Sequence, residues 1–374
     1  MTLLLTNEQV ASVLDVAGSI AAMELAYQDL ANRQAVNVPR TDAYAPHPSG
    51  EKTYALKFFA GVLPRTGLTA LRIDSDVISW EPYHGNLRKE KRGVSDGRWN
   101  GLVLIYSNAN GELVGIMPDG VVQRTRVAAT NAIGARYLSR PGASVYALIG
   151  TGWQAGAQIE AIAAVRDLRE IRVFSPNREH RDSFARTYQD KLGLPVRSVD
   201  SAREAVAGAE IVGAATNAIQ PLIQPEWLEP GMHVTCIKRA EFGEEVLDRC
   251  DLVAVHTRQG SPINYIVGMG DAPVLAHDPL PLLQRLHAGA DPTDVLGSLP
   301  SGTSVSGRDE PDLAEIVAGR FAANLTDTSV TGFVNNIGVG IQFAALGALV
   351  YERAKERGLG QEIPSDWFTQ DVHN

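Results

Sequence analysis

The chain has 374 residues and a formal net charge of −9 at pH 7, from 34 Lys and Arg against 43 Asp and Glu residues. This length allows two domains with an ample core, and the acidic balance argues against a nucleic-acid or anionic-membrane surface. The two cysteines, Cys236 and Cys250, form neither a disulfide framework nor a metal spacing, and the eight histidines show no H-E-x-x-H pair. We expect no metal and, because the N-terminus lacks the pattern of a signal peptide, a cytoplasmic location.

The first third of the chain predicts a leading helix followed by mostly antiparallel sheet. Apolar residues recur at helical spacing over Asn7–Leu30, with Thr6 or Asn7 suited to the N-cap. Strands are predicted for Tyr54–Phe59, Gly67–Ile78, Gly101–Ser107 and Leu113–Met117. The last two flank Asn108-Ala109-Asn110-Gly111, whose asparagine and glycine residues tolerate the positive φ of a hairpin turn.

The hydrophobic period then changes. A helix lined with small residues is predicted over Arg124–Ser139, and after it strands alternate with helices. The predicted strands are Ala143–Ile149, Ile171–Phe174, Val196–Val199, Glu210–Thr216, Met232–Ile237 and Asp251–Val255, and the predicted helices are Gln154–Arg166, Arg178–Lys191 and Ala202–Ala207. A short helix over Leu282–His287 and a strong one over Val339–Arg357 follow. The alternation favours a doubly wound, mostly parallel sheet.

The turn after the first of these strands carries a functional signal. The strand runs into Gly150-Thr151-Gly152 and continues as Trp153-Gln154-Ala155. A tight glycine turn before a helix leaves the first backbone N–H groups free to bind an anion, and the helix dipole adds to the attraction. A dinucleotide pyrophosphate is the usual ligand, so we predict a dinucleotide site here.

Three motifs at characteristic spacing, Arg124-Thr125, the glycine turn and Ala214-Ala215-Thr216, make the chain resemble the ornithine cyclodeaminase/μ-crystallin family. The resemblance implies an α/β fold in which a Rossmann-type doubly wound parallel sheet is inserted in an α+β substrate and dimerisation domain. The Rossmann domain would span residues 125–324, and residues 1–124 plus 325–374 would form the other domain. Homodimers are implied, together with hydride transfer between a nicotinamide and the α-carbon of an amino or imino acid.

The family positions that hold the substrate carboxylate correspond to Arg40, Arg72 and Arg124. Arg72 stands where the family usually has lysine. A guanidinium still offers a forked donor to a carboxylate, but it does not deprotonate near neutral pH. We therefore expect Arg72 to bind charge at the catalytic centre without shuttling protons.

The segment after Met232–Ile237 departs from the family. The catalytic aspartate of the family aligns with Ala240, and a following glutamate aligns with Val246. Glu241 is then the candidate acid/base, provided that the backbone is irregular there, and Lys238 is the next candidate. The alternative is that this is a solvated charged loop.

The C-terminal signature also differs. Phe333–Gly338 and Gln342-Phe343 stand where members commonly show a Ser-Gly turn and a Glu-Asp pair. With the ending Trp367–Asp371, they resemble a longer subgroup whose members are often called tyramine oxidase subunits. The Pro82–Trp99 segment is interpreted as a lid or dimer contact, in which Tyr83, His84 and Arg98 are solvated rather than catalytic.

The end of strand Ile171–Phe174 bears on the cofactor. It continues as Ser175-Pro176-Asn177-Arg178, without the carboxylate that binds the ribose hydroxyls in NAD sites. This favours the 2′-phosphate of NADP(H), while Glu179 keeps NAD(H) open. The cofactor-binding candidates are Thr125, Gly150, Gly152, Trp153, Gln154, Ala155, Ser175, Asn177, Arg178, Thr216 and Asn217.

The leading interpretation is an NAD(P)-dependent imine or ketimine reductase, or amino-acid dehydrogenase, acting on a small anionic α-imino or α-amino acid. Loss of the aspartate weakens the alternative of an ornithine-type cyclodeaminase, because cyclodeamination needs a proton acceptor. A crystallin-like or accessory nucleotide-binding protein with little catalysis is the alternative from another class.

Overall fold

The computed structural model describes residues 1–50, 52–83, 86–93, 98–218, 220–259, 261–270, 273–275, 282–283, 285, 289, 310–321 and 324–371. Within these ranges, no single helix is long and apolar enough to cross a membrane. The pair Asn7–Val13 and Val16–Ala31 passes on length and composition when taken together, and it is bent by 85°.

The first sheet is mostly antiparallel. With strands numbered in chain order, it consists of β1 Thr2–Leu4, β2 Val36–Asn37, β3 Thr41–Pro46, β4 Thr53–Leu63, β5 Leu68–Tyr83, β6 Asn86–Arg92, β7 Asn100–Ser107, β8 Leu113–Pro118, β15 Ile263–Ile266, β16 Val274–Leu275 and β18 Gln361–Ile363. Their order is β16-β15-β3-β4-β5-β7-β8-β1-β18, with β2 paired to β4 and β6 to β5. The predicted hairpin is confirmed, since β7 and β8 pair antiparallel around a turn in which Gly111 has a φ of +75°.

The second sheet is entirely parallel. It consists of β9 Val145–Ile149, β10 Glu170–Phe174, β11 Val196–Ser198, β12 Ile211–Ala214, β13 His233–Cys236, β14 Leu252–Val255 and β17 Thr331–Val334, in the order β11-β10-β9-β12-β13-β17-β14. The chain winds outward from β9 in both directions, first to β10 and β11 and then to β12 and β13. This confirms the predicted Rossmann-type sheet, and ligands of such sheets bind at the carboxyl ends of the strands where the winding reverses.

The described helices are α1 Asn7–Val13, α2 Val16–Ala31, α3 Gly120–Leu138, α4 Trp153–Ala163, α5 Arg178–Leu192, α6 Ala202–Val206, α7 Gly243–Leu247, α8 Leu313–Val317 and α9 Gly340–Glu356. The single helix predicted over Asn7–Leu30 is wrong. It is divided into α1 and α2 because the carboxylate of Asp15 accepts a hydrogen bond from the N–H of Gly18 (2.7 Å) and starts a new helix. Of the short helix predicted over Leu282–His287, residues 284, 286 and 287 lie outside the described residues, so the prediction is not tested there.

Two stretches belong to a different sheet from the one that the predicted domain ranges imply. Strands β15 and β16 fall within 125–324 but extend the first sheet, β15 pairing parallel to β3. Strand β17 falls within 325–374 but lies inside the parallel sheet, between β13 and β14. The boundaries are therefore corrected at these strands, since hydrogen bonding and not chain order decides sheet membership.

Close backbone approaches bring the two sheets together around α3 and α9. A Cβ on Gly340, at the start of α9, would lie 1.8 Å from the carbonyl oxygen of Ala60 in β4. Phe343 in the first turn of α9 packs edge-on against Phe59 of β4, with ring centres 5.3 Å apart. A Cβ on Gly134 of α3 would likewise clash with the ring of Phe333 in β17. These contacts place one face of the first sheet beside the carboxyl ends of the parallel strands.

Candidate functional site

The glycine turn has the geometry expected of a dinucleotide site. Gly150 adopts a φ of +111°, and a Cβ on it would lie 2.4 Å from the carbonyl oxygen of Ala215. Gly152 is the N-cap of α4, so that Trp153 and the predicted residues Gln154 and Ala155 form its first turn. Only glycine allows this backbone approach and conformation, and the amides of the first turn then face an incoming phosphate.

Residues after β10 meet this turn. The Thr151 hydroxyl donates to Oγ of Ser175 (2.8 Å) and lies 2.9 Å from Nδ1 of His180. Asn177 caps α5 by accepting from the N–H of His180 (2.9 Å). Arg178 follows with a side chain that is 75% exposed. The predicted group Ser175, Asn177 and Arg178 is thus assembled beside the glycine turn.

Arg181 lies one turn after Arg178 on α5 and fixes the end of β10. It is buried, stacks 5.7 Å from the ring centre of Phe174, and donates to the carbonyl oxygen of Ser175 (3.1 Å) and to Asp200. Its charge is therefore used to fix the end of β10.

Glu241 does not face a substrate site as an acid/base would. Its Oε1 accepts from the N–H (2.6 Å) and hydroxyl (2.8 Å) of Thr216, and its Oε2 accepts from the N–H groups of Ile237 (3.0 Å) and Lys238 (3.1 Å). Burial raises the pKa of this carboxyl, opposed by Lys238 and by the bonds from Thr216. Both oxygens are engaged in tying the ends of β12 and β13 together. The geometry makes Glu241 a positioning residue for Thr216 and does not support the predicted proton transfer.

The other predicted residues of this region lie around the hydrogen bonds of Glu241. Lys238 donates from Nζ to the carbonyl oxygen of Ala218 (3.0 Å), and burial lowers its pKa. Asn217, between the two bonded segments, is exposed. Ala240 is exposed and Val246 is buried in the second core, so neither position offers a group for proton transfer.

Two of the three predicted arginines come together on the first sheet. Arg72 of β5 is buried and donates from Nε (2.9 Å) and Nη2 (2.6 Å) to Asp119, while it lies between the rings of Phe59 and Phe343 at 5.5 and 5.6 Å. Arg40 makes a forked pair with Asp42 at 2.8 and 2.6 Å. Both guanidinium groups therefore have carboxylate partners within the chain.

The third member of this cluster is Arg126 and not the predicted Arg124. Arg126 is 7% exposed, and it donates to the amide oxygens of Gln123 (2.9 and 3.1 Å) and Gln342 (3.3 Å). Burial, together with the charge of Arg72, lowers its pKa to about 9. Among the described residues, no carboxylate lies within ion-pair distance of it. Arg126 is a buried cation whose partners are neutral.

Arg124 faces the opposite side of α3. It donates to the hydroxyl of Tyr188 (3.2 Å) and lies 5.7 Å from the ring centre of Trp153. With Thr125 and Lys191 it lines a cavity of about 250 Å³. Two residues along a helix are separated by about 200°, so Arg124 and Arg126 do not share a face. The prediction that Arg124 joins Arg40 and Arg72 is corrected for this reason.

A buried polar network fixes Gln342 against Arg126. Nδ1 of His256 lies 2.6 Å from the carbonyl oxygen of Ile337, so Nδ1 carries the proton and donates it. Nε2 is then free to accept a hydrogen bond from the hydroxyl of Tyr27 (2.7 Å). Gln342 donates to Tyr27 (3.1 Å) and to Thr130 (2.6 Å). Burial and the charge of Arg126 lower the pKa of His256 to about 3, so this histidine is neutral. The network orients the neutral acceptor of Arg126.

Sequence reasoning missed Arg126, although a signal exists. Val122, Arg126, Ala129 and Ile133 follow the spacing i, i+4, i+7 and i+11, and all four are buried. An arginine on the buried stripe of an otherwise small-residue helix points to a charge placed for a ligand.

Of the Pro82–Trp99 segment, Arg98 is exposed as expected, and His84 lies outside the described residues.

A profile of the ornithine cyclodeaminase/mu-crystallin family matches residues 83–358. The chain belongs to this family. Delta(1)-pyrroline-2-carboxylate reductase from Bacillus cereus is 24% identical over 279 residues, which cover 73% of this chain and 77% of the relative.

Solved structures of similar fold include that of Thermococcus litoralis Delta(1)-pyrroline-2-carboxylate reductase in complex with NADH and L-proline. It has a TM-score of 0.73 at 22% identity, covering 97% of this chain and 100% of the other. Iminosuccinate reductase of Paracoccus denitrificans in complex with NAD+ has a TM-score of 0.69 at 20% identity, covering 97% and 99%. The inserted Rossmann architecture is thus shared with these nucleotide-bound reductases.

Proposed function

We propose that this family member is a nicotinamide-dependent oxidoreductase that reduces the C=N bond of a small α-imino acid to the α-amino acid, or catalyses the reverse oxidation. The observation that carries this proposal is Arg126, a buried guanidinium next to Arg72 that has no carboxylate partner among the residues the structure describes. A substrate carboxylate would supply the missing anion. The similar proteins named as pyrroline-2-carboxylate and iminosuccinate reductases act on substrates of this class.

The chain's residues account for binding and orientation. Arg126 would hold the substrate carboxylate in the fork of its guanidinium, while Arg40 and Arg72, already paired with carboxylates, add positive potential around it. The network through Gln342 fixes the guanidinium before the substrate arrives, so little reorganisation is needed. The amides of the glycine turn would hold the pyrophosphate. When bound, the nicotinamide exchanges hydride with the α-carbon, and fixed orientation of the two reactants supplies much of the acceleration.

The environment of β10 supports a preference for NADP(H) over NAD(H). Ser175 and Asn177 offer a hydroxyl and an amide, Arg178 offers an exposed guanidinium, and none of the three is a carboxylate. Charge-assisted hydrogen bonds from Arg178 would stabilise the 2′-phosphate. We propose the same site for NAD(H) at lower affinity.

The first test is steady-state reduction of a panel of cyclic and acyclic α-imino acids with NADPH and with NADH. We expect turnover that prefers NADPH, and a drop of about tenfold in the NADPH/NADH ratio of kcat/KM in Arg178→Ala. Arg186→Ala is the matched control, because Arg186 is exposed on the same helix but is not at its N-terminus. Nucleotide binding without turnover on any imino acid would contradict the proposal and favour an accessory nucleotide-binding protein.

We further propose a homodimer joined through the outer face of the first sheet. Phe58 is 38% exposed and pairs with Ile73, which in turn pairs with Leu102, also 38% exposed. This apolar row lies on the face opposite Arg72, and such rows mark protein interfaces. Light scattering of the purified protein gives the mass that checks it.

A further inference from the structure

A second cluster of charges lies next to the arginines. Lys57 of β4 is 4% exposed, and its ammonium contacts Asp76 closely and Asp74 at 3.5 Å. In the sheet it pairs with Asp42 on one side and with Asp74 on the other. Because alternate residues of a strand share a face, Lys57 lies on the same face as Phe59, whose ring packs against Arg72. Lys57 therefore belongs to the substrate-facing side of the sheet.

A single carboxylate oxygen links Lys57 to the arginine cluster. Oδ2 of Asp74 lies 3.1 Å from Nη2 of Arg72, 3.5 Å from Nζ of Lys57 and 3.2 Å from Nζ of Lys91. Because Nζ of Lys57 and Nη2 of Arg72 both lie close to this oxygen, these two nitrogens are no more than about 7 Å apart, the sum of their distances to it. A substrate held by Arg126 that extends past Arg72 would bring its nitrogen toward that ammonium, where a proton can pass directly or through one water.

The cluster disposes Lys57 to release a proton. Burial and the charge of Lys91 together lower its pKa to about 8, against the opposing effect of Asp74 and Asp76. The charged groups that act on Lys57 are Lys91, Asp74, Asp76 and Arg40, and Asp42 lies opposite it in β3. The next groups out contact these neighbours: Tyr44 bonds to Asp42, Arg72 pairs with Asp74 and Asp119, and Arg126 of α3 lies near Arg72. A lysine of this kind exchanges its proton near neutral pH, which a guanidinium does not do.

We propose that Lys57 is the acid/base of the reaction, an assignment that rests on the proposed function. As the α-carbon accepts hydride, the electron pair of the C=N π bond takes the proton from Nζ of Lys57 and becomes an N–H bond. Lys57 is left as a neutral amine and regains a proton from water. In the oxidative direction the neutral amine accepts the proton from the substrate nitrogen. Lys57 thus supplies the group that neither Glu241 nor Arg72 provides.

The test compares Lys57→Arg with the wild type in the reductive direction between pH 6 and pH 10. Arginine keeps the positive charge beside Asp74 and Asp76 but cannot release a proton. We expect kcat to fall about 10²–10⁴-fold with KM changed by less than about threefold. We also expect the decline of wild-type kcat/KM above about pH 8, where Lys57 loses its proton, to disappear in the variant.

The variant Lys91→Met separates an acid/base role of Lys57 from a purely structural one, because only the first predicts a shift in the pH profile. Lys91 contacts the same two carboxylates, with a side chain that is 41% exposed. Its removal takes away a positive charge near Lys57, so the alkaline decline of the wild-type profile should move to higher pH. A pKa that belongs to the substrate imine would not move.

Several results would overturn the assignment. If Lys57→Arg keeps the kcat and the alkaline decline of the wild type, Lys57 is only a counter-ion of Asp74 and Asp76. The same conclusion follows if the alkaline decline of kcat/KM in Lys91→Met occurs at the same pH as in the wild type. A raised KM with unchanged kcat would make it a binding residue. A wild-type protein that turns over no imino acid overturns the proposed function itself. Wild-type activity is therefore measured before any variant is compared.

Discussion

Arg126 provides a test with two readouts that should move in opposite directions. Arg126→Met removes the guanidinium and keeps most of the aliphatic stem in place. We expect the kcat/KM of imino-acid reduction to fall, because the substrate carboxylate loses its partner. We also expect the ligand-free protein to become more stable, because a buried charge without a carboxylate partner is removed.

The magnitude follows from the environment of the side chain. Burial and the charge of Arg72 lower the pKa of Arg126 from 12.5 to about 9, and each pKa unit corresponds to about 1.4 kcal/mol. The charged form therefore costs the free protein up to about 5 kcal/mol. Loss of the hydrogen bonds to Gln123 and Gln342 and of the contact with Phe343 offsets about 2–3 kcal/mol of this. The free energy of unfolding should rise by about 2 kcal/mol. The lost charge pair should lower kcat/KM by about 2–5 kcal/mol, or roughly 30- to 5000-fold.

Urea unfolding of the ligand-free proteins and steady-state kinetics measure the two effects. Arg124→Met is the matched control, since Arg124 lies on the same helix, is partly exposed and contacts Tyr188 instead of the arginine cluster. It should change kcat/KM by less than about threefold. The reasoning is refuted if Arg126→Met loses stability and keeps its kcat/KM, or if Arg124→Met loses as much kcat/KM as Arg126→Met.

Two further variants test other buried groups. Glu241→Gln turns an amide N–H₂ toward backbone N–H donors such as that of Thr216, so the free energy of unfolding should fall by about 2–3 kcal/mol. The pH profile of kcat should stay unchanged. An altered profile would return proton transfer to Glu241. Burial lowers the pKa of both His233 and His256 to about 3 from 6.5. The unfolded chain therefore binds protons that the native state does not, and stability that is fully present above pH 6.5 is lost as the pH falls toward 3, by about 1.4 kcal/mol per pH unit for each histidine. His233→Asn should remove about half of that slope in urea unfolding, and a wild-type profile that is flat between pH 6.5 and 5 would contradict the reasoning.

The family and the fold could be predicted because they depend on local patterns. Alternating apolar periods and the Gly150–Gly152 turn were sufficient for the parallel sheet, and the structure confirms it. The division of the first helix was missed because Asp15 competes as an N-cap within a pattern that continues on both sides of it.

The site could be predicted only in part, because it depends on which helix face or strand partner a side chain meets. Arg40 and Arg72 lie in the cluster, but a difference of two helical positions separates Arg124 from it. The environment of Lys57 requires the register of β4 against β5, in which Lys57 opposes Asp74 across the hairpin. Residue spacing along the chain does not give that register, so the cluster became apparent only in the folded sheet.

The position of β17 inside the parallel sheet has a consequence for biosynthesis. Strand β13 ends at Cys236 and β14 at Val255, but the strand that hydrogen-bonds to both begins only at Thr331. As the chain leaves the ribosome, both strands must wait for dozens of further residues before that edge of the sheet closes, and pairings this distant in sequence form slowly. For the same reason, a recombinant fragment ending at residue 324 would lack the strand that joins β13 to β14, so the nucleotide-binding half cannot be cut out as one contiguous piece.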